Sequence, residues 1–118
     1  MPSDVQGLLA RMAAQREAWA DLGGGKRLKY HRPPEVELPR LAAGVGLDQV
    51  VQYACGWEGF TEADLLGAAV GSSDAVPFDA QLWRAYVQDH AQALQAAAQA
   101  MADTVTQYLQ GKADTAKN

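Results

Sequence analysis

Cys55, His31 and His90 are the only side chains in this chain with a soft nucleophile or a proton that exchanges near neutral pH. A Cys–His nucleophile works only when the imidazole sits within hydrogen-bond reach of the thiol. Nothing in the spacing of these three residues forces that contact. Two histidines and one cysteine far apart in sequence also lack the close ligand pairs that a zinc site uses, so no metal and no cofactor is expected. Cys55 closes an apolar run and reads as a buried, inert thiol. The carboxylates Glu58, Glu62 and Asp64 crowd together as an acid–base pair would. The simpler assignment is capping and solvation of a short helix, since acidic groups are favoured at a helix N-terminus. Gly23-Gly24-Gly25-Lys26-Arg27 carries part of a phosphate-loop composition. It lacks the full Gly-x-x-x-x-Gly-Lys-Ser/Thr spacing and follows a helical pattern instead of a strand. No catalytic set emerges, and the chain reads as a non-enzyme.

Binding groups are more numerous. Lys26, Arg27, Lys29 and Arg32 fall within seven residues together with Tyr30 and His31. The whole chain nevertheless carries ten basic and fourteen acidic residues, for a net charge of −4. A protein that grips nucleic-acid phosphates normally presents a net basic surface. The run therefore reads as a solvated arm or one that meets an acidic partner, and no nucleic acid is expected. Trp57, Phe60, Phe78 and Trp83 are aromatic anchors of the kind enriched at interfaces. Each one taken singly is better placed in the core of an alanine-rich domain, where large rings supply the area that alanine lacks. The candidate contact residues are Lys26, Arg27, Lys29, Tyr30 and Arg32 on the arm, with Trp57, Phe60 and Trp83.

The elements that must hold these groups follow from periodicity and punctuation. The length of 118 residues fits one domain with one core. A first helix is expected from Ser3 to about Leu22, capped by Ser3 or Asp4, with Val5, Leu8, Leu9, Met12 and Trp19 on one side. The glycine triplet ends it, which bounds the N-terminal segment at 1–25. An extended basic and proline-bearing arm follows over 26–38, usable only as an edge strand or a free arm because Pro33 and Pro34 cannot donate ladder bonds. The segment 39–110 reads as a helical core. It has a break near Gly46 with Asp48 as a cap, a turn around Trp57, and a short helix opened by Thr61-Glu62-Ala63-Asp64. Asp79 caps a final stretch whose stripe is interrupted at Gln88-Asp89-His90, so one helix or two fit equally. Residues 111–118 read as a flexible tail. Alanine-rich faces over 91–102 suit close helix docking. The expected fold is all-α, a small bundle of about five helices with one extended arm.

One cysteine excludes an internal disulfide, and no secretory signal or membrane-length apolar run is apparent, which points to a cytosolic protein without a membrane partner. The stretch from Tyr30 to Trp83 resembles the tail assembly chaperones and minor tail proteins of long-tailed bacteriophages and prophages. The shared features are Tyr30-His31-Arg32-Pro33, a helix leading into Gly56-Trp57-Glu58-Gly59, a polar loop, and Pro77-Phe78-Asp79 opening a helix. The resemblance implies a mostly helical, non-enzymatic protein of the host bacterial cytoplasm that binds the tape-measure protein, and in some arrangements the tail tube protein, during tail morphogenesis. The expected contact surface combines the basic arm with grooves beside the terminal alanine-rich helices. Self-association is left open. A structural virion component and a small host-directed regulatory protein are the alternatives. Such families also extend a shorter product by frameshifting, and Gly111-Lys112 could be encoded by a slippery sequence.

Overall fold

The computed structural model of the chain describes residues 4–41 and 44–117. Its architecture is mixed α/β: a three-stranded antiparallel sheet carries helices along its length, and the expected all-α bundle is incorrect. Helix α1 covers Val5–Gln15 and is capped by Asp4, whose carboxylate accepts from the Gly7 N–H at 2.9 Å. The helix stops at Arg16, one full turn and more before the predicted end. Glu17–Gly23 is strand β1. Its residues alternate between exposed and covered, with Ala18, Ala20 and Leu22 on the covered side. Alanine is the strongest helix former, and Trp19 falls at helical spacing from Met12. Both features masked a period of two.

The glycine triplet is therefore a hairpin turn rather than a helix stop or a phosphate loop. Gly23, Gly24 and Gly25 have φ of +84°, +60° and +82°, the left-handed backbone that tight hairpins need. Strand β2, Lys26–His31, pairs with β1 through Ala20 opposite Leu28 and Ala18 opposite Tyr30. Its other edge is taken by β3, Ala54–Glu58, with Leu28 opposite Trp57 and Arg27 opposite Glu58. The basic run is thus the central strand and neither a free arm nor an edge. Pro33 and Pro34 do not interfere, because they follow the last ladder residue. A 3₁₀ segment over Glu35–Leu41 and helix α2, Leu47–Gln52, replace the long second helix. The break near Gly46 is present. Gly46 itself occupies the cap position, its N–H donating to Gln49 Oε1 at 3.0 Å, and Asp48 lies in the first turn. Cys55, expected at a helix end, lies within β3.

The remaining helices follow their caps. Helix α3, Glu62–Leu66, opens with a reciprocal capping box between Thr61 and Asp64. Helix α4, Ala80–Asp89, is capped by Asp79, which accepts from Gln81 N and Leu82 N at 2.8 and 3.1 Å. His90 leaves helical geometry at φ −128° and ψ 77°, and α5 then runs from Ala91 to Lys117. The stretch after Asp79 is two helices. Most of the segment assigned to a flexible tail continues α5.

The core lies where one face of the sheet meets α4 and α5. Leu28, Tyr30, Val50, Phe60, Trp83, Val87 and Met101 are fully buried there. Ala93 and Ala97 are buried as well, so the alanine face of α5 is filled by the chain's own sheet. Small side chains let the helix approach closely enough for the Tyr30 hydroxyl to donate to the Ala100 carbonyl at 3.0 Å. The indole N–H of Trp83 donates to the Val50 carbonyl at 3.2 Å. That carbonyl belongs to the last turn of α2, where intrahelical partners have run out.

Candidate interaction surface

The residues singled out from sequence divide into two groups once folded. Tyr30, Phe60 and Trp83 are 1%, 1% and 0% exposed. They are core residues and offer no surface to a partner. Trp57 is half-buried: it stacks on Phe60 at 4.1 Å, meets Phe78 edge-on at 5.4 Å, and donates its indole N–H to the Val76 carbonyl at 2.7 Å. The four aromatics thus pin β3, the loop before α4 and α4 itself.

The cations of β2 are reachable from solvent but largely matched. Lys26 pairs with Asp64 at 3.3 Å, Arg27 with Glu58, and Lys29 with Glu17 at 3.1 Å. Arg27 also lies over the Trp19 ring at 4.3 Å. The Glu17 hydrogen bond and charge hold the Lys29 ammonium above its ordinary range. Burial pushes the Asp64 carboxyl up, but bonds from Thr61 and the nearby Lys26 ammonium outweigh it and leave the group below the usual carboxylate range. Arg32 lies with its guanidinium 3.6 Å over the Tyr108 ring and donates to the Pro33 carbonyl at 2.9 Å.

The groups weighed for catalysis do not form one set, although Cys55 and His31 share Glu17 as a neighbour. Cys55 is half-buried on β3, and burial pushes its thiol up, against a weaker opposing effect of Lys29. His31 ends β2, with Nε2 at 3.7 Å from Glu17. His90 stacks on Tyr86 at 3.9 Å and bonds the Tyr86 carbonyl through Nδ1 at 2.7 Å. Glu58 serves Arg27, and Glu62 accepts from the Ser72 hydroxyl at 2.9 Å. Asp64 serves the capping box and Lys26. Among the described residues, no group of three or more His, Cys, Asp or Glu could hold a metal ion. No described helix is long and apolar enough to cross a membrane.

Among the described residues, α1 presents a run of exposed apolar side chains on one face. None of its residues is buried. Val5, Leu8, Leu9 and Met12 are 65%, 39%, 53% and 51% exposed. They recur at i, i+3, i+4 and i+7, so they form one stripe along the helix. The periodicity was visible in the sequence, but nothing in it said that the stripe would face solvent. No protein-family model, curated protein or solved structure matches this chain. The surface must therefore be read from its own chemistry.

One recess adjoins the stripe, and a second lies between other elements. One, of about 370 Å³, is lined by Met12, Gln15, Arg16, Arg32 and Tyr108. It continues the α1 stripe toward α5. The other, of about 260 Å³, is largely apolar and lies between the 3₁₀ segment and α5, with Leu38, Leu41, Val45, Val105 and Leu109 among its walls. An ion pair between Lys112 and Glu35, joined by the Tyr108 hydroxyl, ties the outer half of α5 to the start of the 3₁₀ segment. The arrangement offers an exposed apolar helix and a rim of charges, which suits docking of an amphipathic helix.

Proposed function

We propose that this chain is a non-enzymatic assembly chaperone of a bacteriophage tail, acting in the host bacterial cytoplasm on the tape-measure protein. The observation that carries the reading is the α1 stripe, four apolar side chains at helical spacing that stay 39% to 65% exposed in the fold. An exposed stripe of this kind is costly in water unless it has something to bind. A tape-measure protein is a long helical chain whose apolar seams aggregate when left uncovered. A helix such as α1 can lie along one seam and shield it, while the sheet and α5 keep the helix end anchored. Many copies along one chain would gain from multivalency. The resemblance carried by Tyr30-His31-Arg32-Pro33, Gly56-Trp57-Glu58-Gly59 and Pro77-Phe78-Asp79 supports the same reading. The aromatic pieces of that motif act in folding, and the binding role moves to α1 and its rim.

The test is co-expression of the full chain with overlapping fragments of the tape-measure protein encoded in the same tail gene cluster. At least one fragment should become soluble and co-purify with the chain. Loss of co-purification across all fragments and several salt conditions would remove the proposal. A chaperone should also be missing from purified virions by mass spectrometry, and stoichiometric presence there would assign it to the mature tail instead.

A further inference from the structure

The cations of the folded chain are not evenly matched. Lys26, Arg27, Lys29, Arg40, Arg84 and Lys112 each have a carboxylate within bonding range. Among the described residues, Arg11, Arg16 and Arg32 have no such partner. Two of these three, Arg16 and Arg32, line the same recess at the end of α1. They are half-buried and are held together by the backbone, since the Arg32 N–H donates to the Arg16 carbonyl at 2.7 Å. Both also line a neighbouring recess with His31 and Tyr53. The nearby carboxylates bond other groups, although one of them, Glu35, also lies within electrostatic reach of Arg32. Glu17 serves Lys29 and His31, and Glu35 serves Lys112 and Tyr108.

We infer that Arg16 and Arg32 form a carboxylate-binding site that takes an Asp or Glu side chain of the helix docked on α1. Guanidinium groups present planar forks of donors that match a carboxylate, and a fork held on an aromatic ring loses little freedom on binding. Arg32 is held in this way on Tyr108. Arg16 follows Met12 by four residues and so extends the stripe of Leu8, Leu9 and Met12 at its C-terminal end. The occupant is thus a helix with an apolar seam flanked by acidic residues, which deepens the tape-measure reading and relies on it for the partner's identity. A second copy of this chain fits less well. Two copies meeting through α1 would bring no carboxylate to these arginines, since Val5–Gln15 contains no acidic residue. Two chains of charge −4 also repel.

The site can be tested without a partner. Thermal unfolding of the full chain is compared in sodium succinate, sodium phosphate and sodium chloride at equal ionic strength. Succinate should raise the midpoint by about 2–4 °C over chloride, as binding to the folded state requires. Arg16→Gln should abolish that rise. Arg11→Gln, which removes the same charge outside the recess, should keep it. A succinate midpoint equal to that in chloride, a rise retained in Arg16→Gln, or a rise with phosphate alone overturns the carboxylate assignment. In the partner arm, Arg16→Gln should weaken binding of a tape-measure fragment about tenfold, in line with loss of a charge-assisted bond. Equal binding by both proteins overturns the inference and leaves the chaperone reading in place. A succinate rise that depends on Arg16, with no fragment bound by the wild type, supports the site and removes the chaperone reading. Self-association that Arg16→Gln abolishes in sedimentation would assign the site to a second copy and overturn the partner proposed.

Discussion

Gly59→Ala tests how the Gly-Trp-Glu-Gly motif works. Gly59 has φ +81°, and a Cβ placed there would lie 2.1 Å from the Gly25 carbonyl oxygen and 3.0 Å from its carbonyl carbon. The obstacle is main chain at the β1–β2 turn, so no side-chain rotation can relieve it. Either the hairpin tip or the β3 exit must move by more than an ångström. A left-handed residue with a side chain costs about 1–2 kcal/mol, and forcing atoms into filled space adds about 1–3 kcal/mol. The expected loss is about 2–5 kcal/mol, a large part of the total stability of a small domain. Gly25→Ala is the matched control, with φ +82° and no atom within 4 Å of its Cβ. It should show the conformational part alone, about 1–2 kcal/mol. Urea unfolding monitored by tryptophan fluorescence gives both values, with an unchanged slope confirming the same unfolding reaction. If Gly59→Ala is no less stable than Gly25→Ala, the close approach of the β3 exit to the hairpin tip is refuted.

Three further outcomes follow from the same geometry. Trp83→Phe removes the indole bond to the Val50 carbonyl and leaves that α2 end group unpaired in the core, which should cost about 2–4 kcal/mol from desolvation and lost volume; equal urea midpoints would show that the carbonyl finds another donor. Asp64 has a folded pKa below its unfolded one, so its contribution is fully present above about pH 4 and is lost as pH falls through the depressed folded value. Asp64→Asn should therefore be less stable than wild type at pH 7, and the gap should narrow as pH falls below the ordinary carboxylate range; a gap independent of pH would place its role in packing. Leu9→Glu should leave stability within about 0.5 kcal/mol, as for exposed positions, yet abolish co-purification with a tape-measure fragment; binding at wild-type strength would move the docking surface away from α1.

Local signals were legible wherever a residue satisfies its own neighbours. Asp4, Asp79 and the Thr61–Asp64 box cap helices by bonds that span two or three residues, and such bonds are written in the chain. The break at His90 belongs to the same class, whereas Phe60 and Trp83, also counted as contact candidates, are buried by partners far along the chain. The sheet was not legible. Strand β1 carries alanine on its covered side, and alanine by itself favours a helix. Strand β3, Ala54–Glu58, contains Gly56 and no β-branched residue, so apart from Trp57 its reason to extend is the open edge of β2. Strand preference of this kind depends on who the neighbour is.

The candidate site shows the same division. The periodicity of Val5, Leu8, Leu9 and Met12 and the positions of the arginines are properties of the sequence alone. Which apolar face is covered and which cation is matched are not. Folding brought Glu17, Glu58 and Asp64 across to the cations of β2 and spent the alanine face of α5 on the sheet. It left α1 uncovered and set Arg16 beside Arg32 by closing the β1–β2 hairpin between residues sixteen positions apart. Pairing over that separation is decided by the whole packing arrangement, because charge and burial depend on the neighbours that the tertiary fold supplies.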